Sequence, residues 1–300
     1  METFSDTCRL SDEIYMIDAN GWGVEKSTSV LAIVGKENAI VETADSNSAV
    51  RILDTLKDFE IDLKSVRYII PTHRHTDHAG GAAPLAKALP AATIYGHQYT
   101  IDVIRNPAKM NQAVVEMFGE YAVPMESLED ESRFSIVRGG EVLELGNDLA
   151  IEFIHTPGHT SDHISLYERK NKIMYCGDAA GILNFRNKTI VPSTLPPSFK
   201  FKPYVASLEK LLDYELNAVT FAHFGTIMGK EADKILRDAI DAVEEWMGVA
   251  EEAWKDTGDV EAVVEKLKLR YENRLGVFHP AAREIFFDIL GLGIVGNLPV

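Results

Sequence analysis

Between Thr72 and His78 the chain reads Thr-His-Arg-His-Thr-Asp-His, which crowds three imidazoles and one carboxylate into a single short run. Such side chains are the ordinary ligands of zinc, iron and manganese, and packing alone gives a soluble protein little reason to gather them. The apolar run Val66-Arg67-Tyr68-Ile69-Ile70-Pro71 precedes them and Ala79-Gly80-Gly81 follows. That context predicts a buried strand ending in a tight loop that opens a helix. Such a loop can aim several donors at one point, and Gly80 and Gly81 let the backbone come close to it.

Three later positions have the same setting. Thr156-Pro157-Gly158-His159-Thr160, Cys176-Gly177-Asp178 and Ala222-His223-Phe224-Gly225 each follow a predicted strand and sit among small or turn-forming residues. Loops at one end of a sheet sandwich can converge, so all these side chains can share one centre. The other histidines read differently. His97, His155 and His163 are expected to satisfy local hydrogen bonds, with support of a metal ligand as the second option for His163. His279, before Pro280, reads as structural. Cys176 reads as a small buried hydrophobe, and Thr72 and Thr160 as capping or ligand-orienting hydroxyls. Trp22, Met117, Phe199 and Phe201 are the candidates for substrate contact, set against ordinary loop packing.

The elements that must position these groups are short and β-branched at first. Strands are expected at Glu13 to Asp18, Ser29 to Val34 and Ala39 to Thr43, with a helix over Ala49 to Phe59. After the histidine loop come a helix at Ala82 to Ala88 and a strand at Ala92 to Tyr95. Residues 98–138 read as an insertion near the site, with a helix from Pro107 to Tyr121. Hairpins follow at Glu141 to His155 and Ile164 to Cys176. A loop with four prolines runs from Ile190 to Pro203, where Pro203 is placed to open a helix, and Ala218 to Ala222 is a last core strand. From Lys230 the pattern turns amphipathic and helical. The division is thus 1–229 for the catalytic domain and 230–300 for a helical extension, packed on that domain or at a homodimer interface.

Composition narrows the partners. The formal charge of −16 speaks against nucleic acid and anionic membrane surfaces. Two cysteines, Cys8 and Cys176, offer no disulfide framework and suit a reducing cytoplasm. No signal peptide is evident at the start, and the apolar tail after Ile285 is too short to span a bilayer.

The four motifs in order resemble the metallo-β-lactamase superfamily, over roughly residues 10–230. Thr72 to His78 reproduces its H-x-H-x-D-H motif, and His159, Asp178 and His223 stand where the family places its later ligands. The resemblance implies an α+β fold: a four-layer αβ/βα sandwich with helices outside two sheets. It implies two divalent metals, zinc first, with iron or manganese suiting the same donors. His73, His75 and His159 would hold one, Asp77, His78 and His223 the other, and Asp178 would bridge them. A hydroxide between the metals would attack an ester, thioester, lactone or phosphoester of a small molecule, with Asp77 accepting a hydrogen bond from it. His78 and Asp178 replace the arginine and cysteine of the commonest β-lactamases, and His75 the glutamate of flavodiiron proteins. The chain is therefore similar to the glyoxalase II-like branch. A mononuclear iron persulfide dioxygenase, using only His73, His159 and Asp178, is the main alternative, and an RNA-processing nuclease a further one.

Overall fold

The structure, a computed structural model, describes residues 3–274 and 280–298. Two seven-stranded sheets form its centre. From edge to edge the first contains Cys8–Arg9, Ile14–Asp18, Ser29–Ile33, Asn38–Val41, Val66–Ile70, Thr93–Gly96 and Phe134–Ile136. The second contains Thr3–Phe4, Gly225–Met228, Ala218–Phe221, Ile173–Tyr175, Ile164–Glu168, Leu149–His155 and Val142–Gly146.

Alternation along the strands builds the layers. Leu31, Ile33 and Val41 of the first sheet share a buried cluster with Ile151, Phe153 and Tyr175 of the second, so these faces meet. Val30, Ala32 and Ile40 point the other way, onto Ile52 and Leu56 of the helix Ala49–Asp58 and Leu85 of the helix Ala82–Ala88. Ile154, Met174 and Val219 of the second sheet meet Leu208 of the helix Phe201–Leu211 and Leu236 and Val243 of the helix Glu231–Thr257. Strands covered on both faces read as near-continuous apolar runs, which is why they were legible. Each fully buried Ile or Leu contributes about 1.5–3 kcal/mol to this assembly.

The C-terminal helices continue that outer core. Trp246 stacks on Tyr271 at 5.0 Å and meets Phe287, tilted, at 5.2 Å. The extension therefore packs on the sandwich and shares its apolar cluster. His279 lies outside the described residues. Among the described residues, no helix is long and apolar enough to cross a membrane.

Several local expectations are corrected. Residues 98–138 are not one excursion: the helix Gln98–Arg105 puts Ile101 and Ile104 in the buried interior, and Phe134–Ile136 is the edge strand of the first sheet. The helix Ala108–Phe118 buries none of its residues, while Met125 and Leu128 beyond it return to the core. Pro203 is the third residue of its helix, not its opener; at that depth its missing N–H still costs no helical bond. The hairpin of Ile182–Asn184 and Thr189–Val191 escaped notice because its turn uses Lys188 at φ 59°, where glycine or asparagine is the usual signal.

Topology gathers the motif loops. Asn38–Val41 runs parallel to Val66–Ile70, and Ile173–Tyr175 parallel to Ala218–Phe221. Leu149–His155, two antiparallel steps from Ile173–Tyr175, points the same way. The C-terminal ends of these strands meet at one rim, where the sheets are stitched together. Ser29 N–H donates to Ala222 O at 2.7 Å, and Ile164 N–H to Thr72 O at 2.9 Å.

Candidate metal centre

All seven histidine and aspartate candidates converge at that rim. Three groups of donor atoms fall within 4.8 Å: His73, His75 and His159; Asp77, His78 and His223; and His73, His78 and Asp178. Asp178 lies between the first two. Its Oδ2 is 3.4 Å from His159 Nε2, and its Oδ1 is 3.5 Å from both His78 Nε2 and His223 Nε2. Asp77 Oδ2 is 3.3 Å from His78 Nε2 and 3.5 Å from His223 Nε2.

Hydrogen bonds behind the rings decide which nitrogen faces inward. His159 Nδ1 donates to Ser193 O at 2.8 Å, His223 Nδ1 to Ser27 O at 3.0 Å and His78 Nδ1 to Glu42 Oε2 at 2.9 Å. Thr72 Oγ1 donates its only proton to Glu42 Oε2 at 2.7 Å. It must therefore accept from His73 Nδ1, 3.0 Å away. In their neutral, metal-binding form four rings are thus held with the proton outward and the Nε2 lone pair inward.

That arrangement fits cations. His73 Nε2, His159 Nε2 and His75 Nδ1 lie 2.9–3.1 Å from one another. Inward lone pairs so close repel unless positive charge lies between them. His78 Nε2 and Asp178 Oδ1 are buried and have no hydrogen-bond partner; unpaired groups of this kind cost about 1–3 kcal/mol or more each. Five imidazoles and two carboxylates suit zinc, iron or manganese.

Electrostatics divide the rings into two sets. Burial, reinforced by neighbouring imidazolium charge, pushes His73 and His75 well below the usual histidine range. Burial also lowers His159, although Asp178 opposes it. Burial would lower His78 too, but Asp77, Asp178 and Glu42 together outweigh it and raise that ring well above its usual range. Burial raises the Asp77 carboxyl, yet His78 and His223 overcome this and hold it at about 2. Asp178 is likewise held low, by His78, His223 and His159 acting against burial.

Supporting residues complete the site. Glu42, at φ 73° and fully buried, also accepts from Thr72 N–H and Thr43 N–H, both at 3.3 Å. Arg74 pairs with the buried Asp162, donates to Ser198 Oγ at 2.7 Å and lies over the Tyr99 ring, so it ties the first motif to two other loops. His163 takes the supporting role: its Nε2 accepts from Asp178 N–H at 3.0 Å. Its proton is then on Nδ1 and goes to Thr156 Oγ1 at 2.8 Å. Gly177, at φ 55°, leaves room for this ring; a Cβ there would lie 2.5 Å from His163 Nε2. His97 and His155 stack on each other at 5.6 Å and make local hydrogen bonds.

Sequence reasoning did not single out Glu42, Ser193 or Asp162. Glu42 had a signal, a lone carboxylate at the end of the apolar run Ala39-Ile40-Val41. Ser193 and Asp162 act through contacts distant in sequence and had none.

The four substrate-contact candidates separate. Trp22 lies over His223, with ring centres 6.1 Å apart and planes at 13°. Asp45 Oδ2 holds its N–H at 2.6 Å and steadies a backbone at φ 54°. Met117 is half-buried on the helix Ala108–Phe118, which packs beside the short helix Thr76–Ala79 carrying Asp77 and His78. Phe199 is a core residue at 1 % exposure, packed on Tyr204 at 5.4 Å, because the proline loop folds inward there. Phe201 is half-buried against the same core.

Comparisons with known proteins agree with this architecture. The family described as the metallo-beta-lactamase superfamily matches residues 22–223. The chain belongs to that superfamily. It is 27% identical over 194 residues to a metallo-beta-lactamase fold-containing protein of Sulfurisphaera tokodaii, covering 63% of this chain and 72% of that one. It is 29% identical over 147 residues to the anaerobic nitric oxide reductase flavorubredoxin of Salmonella arizonae, which takes in 49% of this chain but only 26% of that protein. The chain thus spans about a quarter of the flavorubredoxins it matches. Among solved structures, an archaeal superfamily member from Sulfolobus tokodaii superposes with a TM-score of 0.69 at 21% identity, covering 95% of this chain and 98% of that one. A B3 metallo-beta-lactamase with an active site glutamic acid gives 0.57 at 21% identity, covering 79% and 88%.

Proposed function

We propose that this chain is a dinuclear metal-dependent hydrolase of a small-molecule ester, thioester, lactone or phosphoester, in the glyoxalase II-like manner. The observation that supports it is the inward turning of four Nε2 lone pairs by Thr72, Ser193, Ser27 and Glu42 around the two oxygens of Asp178. Two divalent cations held there would supply Lewis acidity and a hydroxide nucleophile at neutral pH. His73, His75 and His159 would hold one, Asp77, His78 and His223 the other, with Asp178 between them. The Asp77 side chain is 17% exposed, against 5% or less for His78, Asp178 and His223, so it reaches toward solvent and substrate. Ionised, it accepts a hydrogen bond from the attacking water and orients it. Trp22 forms an apolar wall beside His223 for the group being cleaved.

A second complete donor group favours this reading over a mononuclear iron dioxygenase. Such an enzyme would use only His73, His159 and Asp178, and would leave the donor group of Asp77, His78 and His223 without a cation. The test is metal analysis followed by a panel of lactones, thioesters and phosphoesters. Two metals per chain and turnover that disappears in His73→Ala are expected. One iron per chain, with oxygen consumed on a persulfide, would overturn the proposal.

A further inference from the structure

Ser193 touches a ligand of the first donor group and the carboxylate between the two groups. Its hydroxyl donates to Asp178 Oδ2 at 2.8 Å, and its carbonyl accepts from His159 Nδ1 at 2.8 Å. It is fully buried, yet it is the second residue of an irregular stretch, residues 192–200, with no strand or helix of its own. A loop without a ladder must take its order from what packs on it.

What packs on it is the end of the C-terminal helix Pro280–Val295 and the turn beyond it. Thr194 Oγ1, next to Ser193, donates to Leu290 O at 2.7 Å. A Cβ on Gly293 would overlap the Thr194 carbonyl, so only glycine permits this approach. Asn297 grips the far side of the loop. Its Nδ2 donates to Phe199 O at 3.2 Å and to Gly293 O at 2.9 Å, while its Oδ1 accepts from Phe201 N–H at 2.9 Å. One side chain thus pins the loop to the helix end.

We propose that the segment from Leu290 to Asn297 is a positioning element of the metal centre, acting through Thr194 and Ser193 on His159 and Asp178. The extension then does more than cover an apolar face: it sets the geometry of a ligand from each motif loop that Ser193 touches. This inference rests on the dinuclear reading above.

The test uses the full chain with Asn297→Ala and Thr194→Val, neither of which creates a large cavity. Zinc affinity is measured by competition with a chromogenic chelator, and the cobalt-substituted protein is followed by its visible spectrum. Each variant is expected to bind metal about 10-fold more weakly or worse, the loss typical of a partner behind a ligand, and to shift the cobalt spectrum. Thr194→Ser, which keeps the hydroxyl, is expected to restore both. Ser193→Ala should give the same change, and Ser193→Ala/Asn297→Ala no more than the worse single variant. Leu269→Ala, an exposed position on the neighbouring helix, should change neither quantity. Asn297→Ala and Thr194→Val proteins that fold, bind zinc within about twofold of the parent and keep its cobalt spectrum would overturn the inference. Failure of the underlying reading looks different: the unaltered protein would itself take up one metal per chain or none, and both would fall.

Discussion

Glu42 and His78 lie 36 positions apart in the chain and 2.9 Å apart in the fold, joined through Oε2 and Nδ1 with both side chains buried. The same carboxylate oxygen takes the Thr72 hydroxyl, whose own oxygen receives the His73 proton. One glutamate therefore orients a ring in each of the two donor groups. Glu42→Gln keeps the size but loses the charge, and its amide NH2 must face either the Thr72 and Thr43 N–H groups that Oε1 accepts or the Thr72 hydroxyl and His78 ring that Oε2 accepts. The expected result is about 10–100-fold weaker metal binding, since partners behind metal ligands are worth that much. Zinc titration against a competing chelator checks it; unchanged affinity would show that Glu42 serves only the fold.

A second relationship is testable through non-additivity. His163 accepts the Asp178 N–H, and Gly177 makes the space for it. Gly177→Ala forces a Cβ against that ring at a positive φ, so a loss of about 1–3 kcal/mol is expected from the backbone strain alone. His163→Ala strands the buried Asp178 N–H, for about 1–3 kcal/mol. The double variant should cost less than the sum, because removing the ring also removes the clash. Urea denaturation of the chelated proteins measures all three. Strict additivity would mean that the two residues do not share this contact.

How much of this was readable beforehand depends on range. The seven inward-facing groups were legible because each closes a strand and sits beside turn residues, a purely local pattern. The two sheets were legible because strands such as Ser29–Ile33 are buried on both faces. Ser193 and Asp162 were not, since their partners lie far along the chain and nothing in their neighbours announces a bond; Glu42 offered only a lone carboxylate at the end of an apolar run, which does not say what it binds. Phe199 misled for a related reason. An aromatic in a proline-rich loop reads as exposed, and only the docking of Asn297 and Gly293 turns that loop inward.

Acid should weaken the metal-free protein, and the sign follows from the rings. His73, His75, His159 and His163 all titrate below their ordinary range when folded, chiefly through burial. Below the unfolded value of about 6.5 the unfolded chain therefore binds more protons at these positions. Stability must then fall as pH drops through that value. His78 works oppositely: its raised value adds stability below about 6.5 that is lost as pH rises through the folded value. Asp77, held at about 2, adds stability above its unfolded value and loses it only as pH falls toward 2. Four rings against one give a net loss on going from pH 7.5 to 5.5. Urea unfolding of chelated protein at those two pH values tests it; equal or greater stability at the lower pH would contradict the balance drawn here. Bound metal should steepen the same trend, because protons compete for the same nitrogens.

Trp22 separates substrate contact from metal binding. Its ring lies over His223 and is half-exposed, while the strained backbone beneath it is fixed by Asp45. Nothing in that geometry makes Trp22 a support for a metal ligand, because His223 is already oriented by the Ser27 carbonyl. Trp22→Ala should therefore leave metal content and zinc affinity unchanged. It should raise KM for substrates with an apolar leaving or acyl group by about 10-fold, the worth of roughly 1.4 kcal/mol of lost apolar contact. The effect on kcat should be smaller, because the wall contacts ground state and transition state alike. Asp45→Ala, which frees the Trp22 N–H without removing the ring, should show a weaker form of the same KM change. A Trp22→Ala protein that loses a metal would instead make the indole part of the centre's support, and the KM comparison across polar and apolar substrates would then lose its meaning.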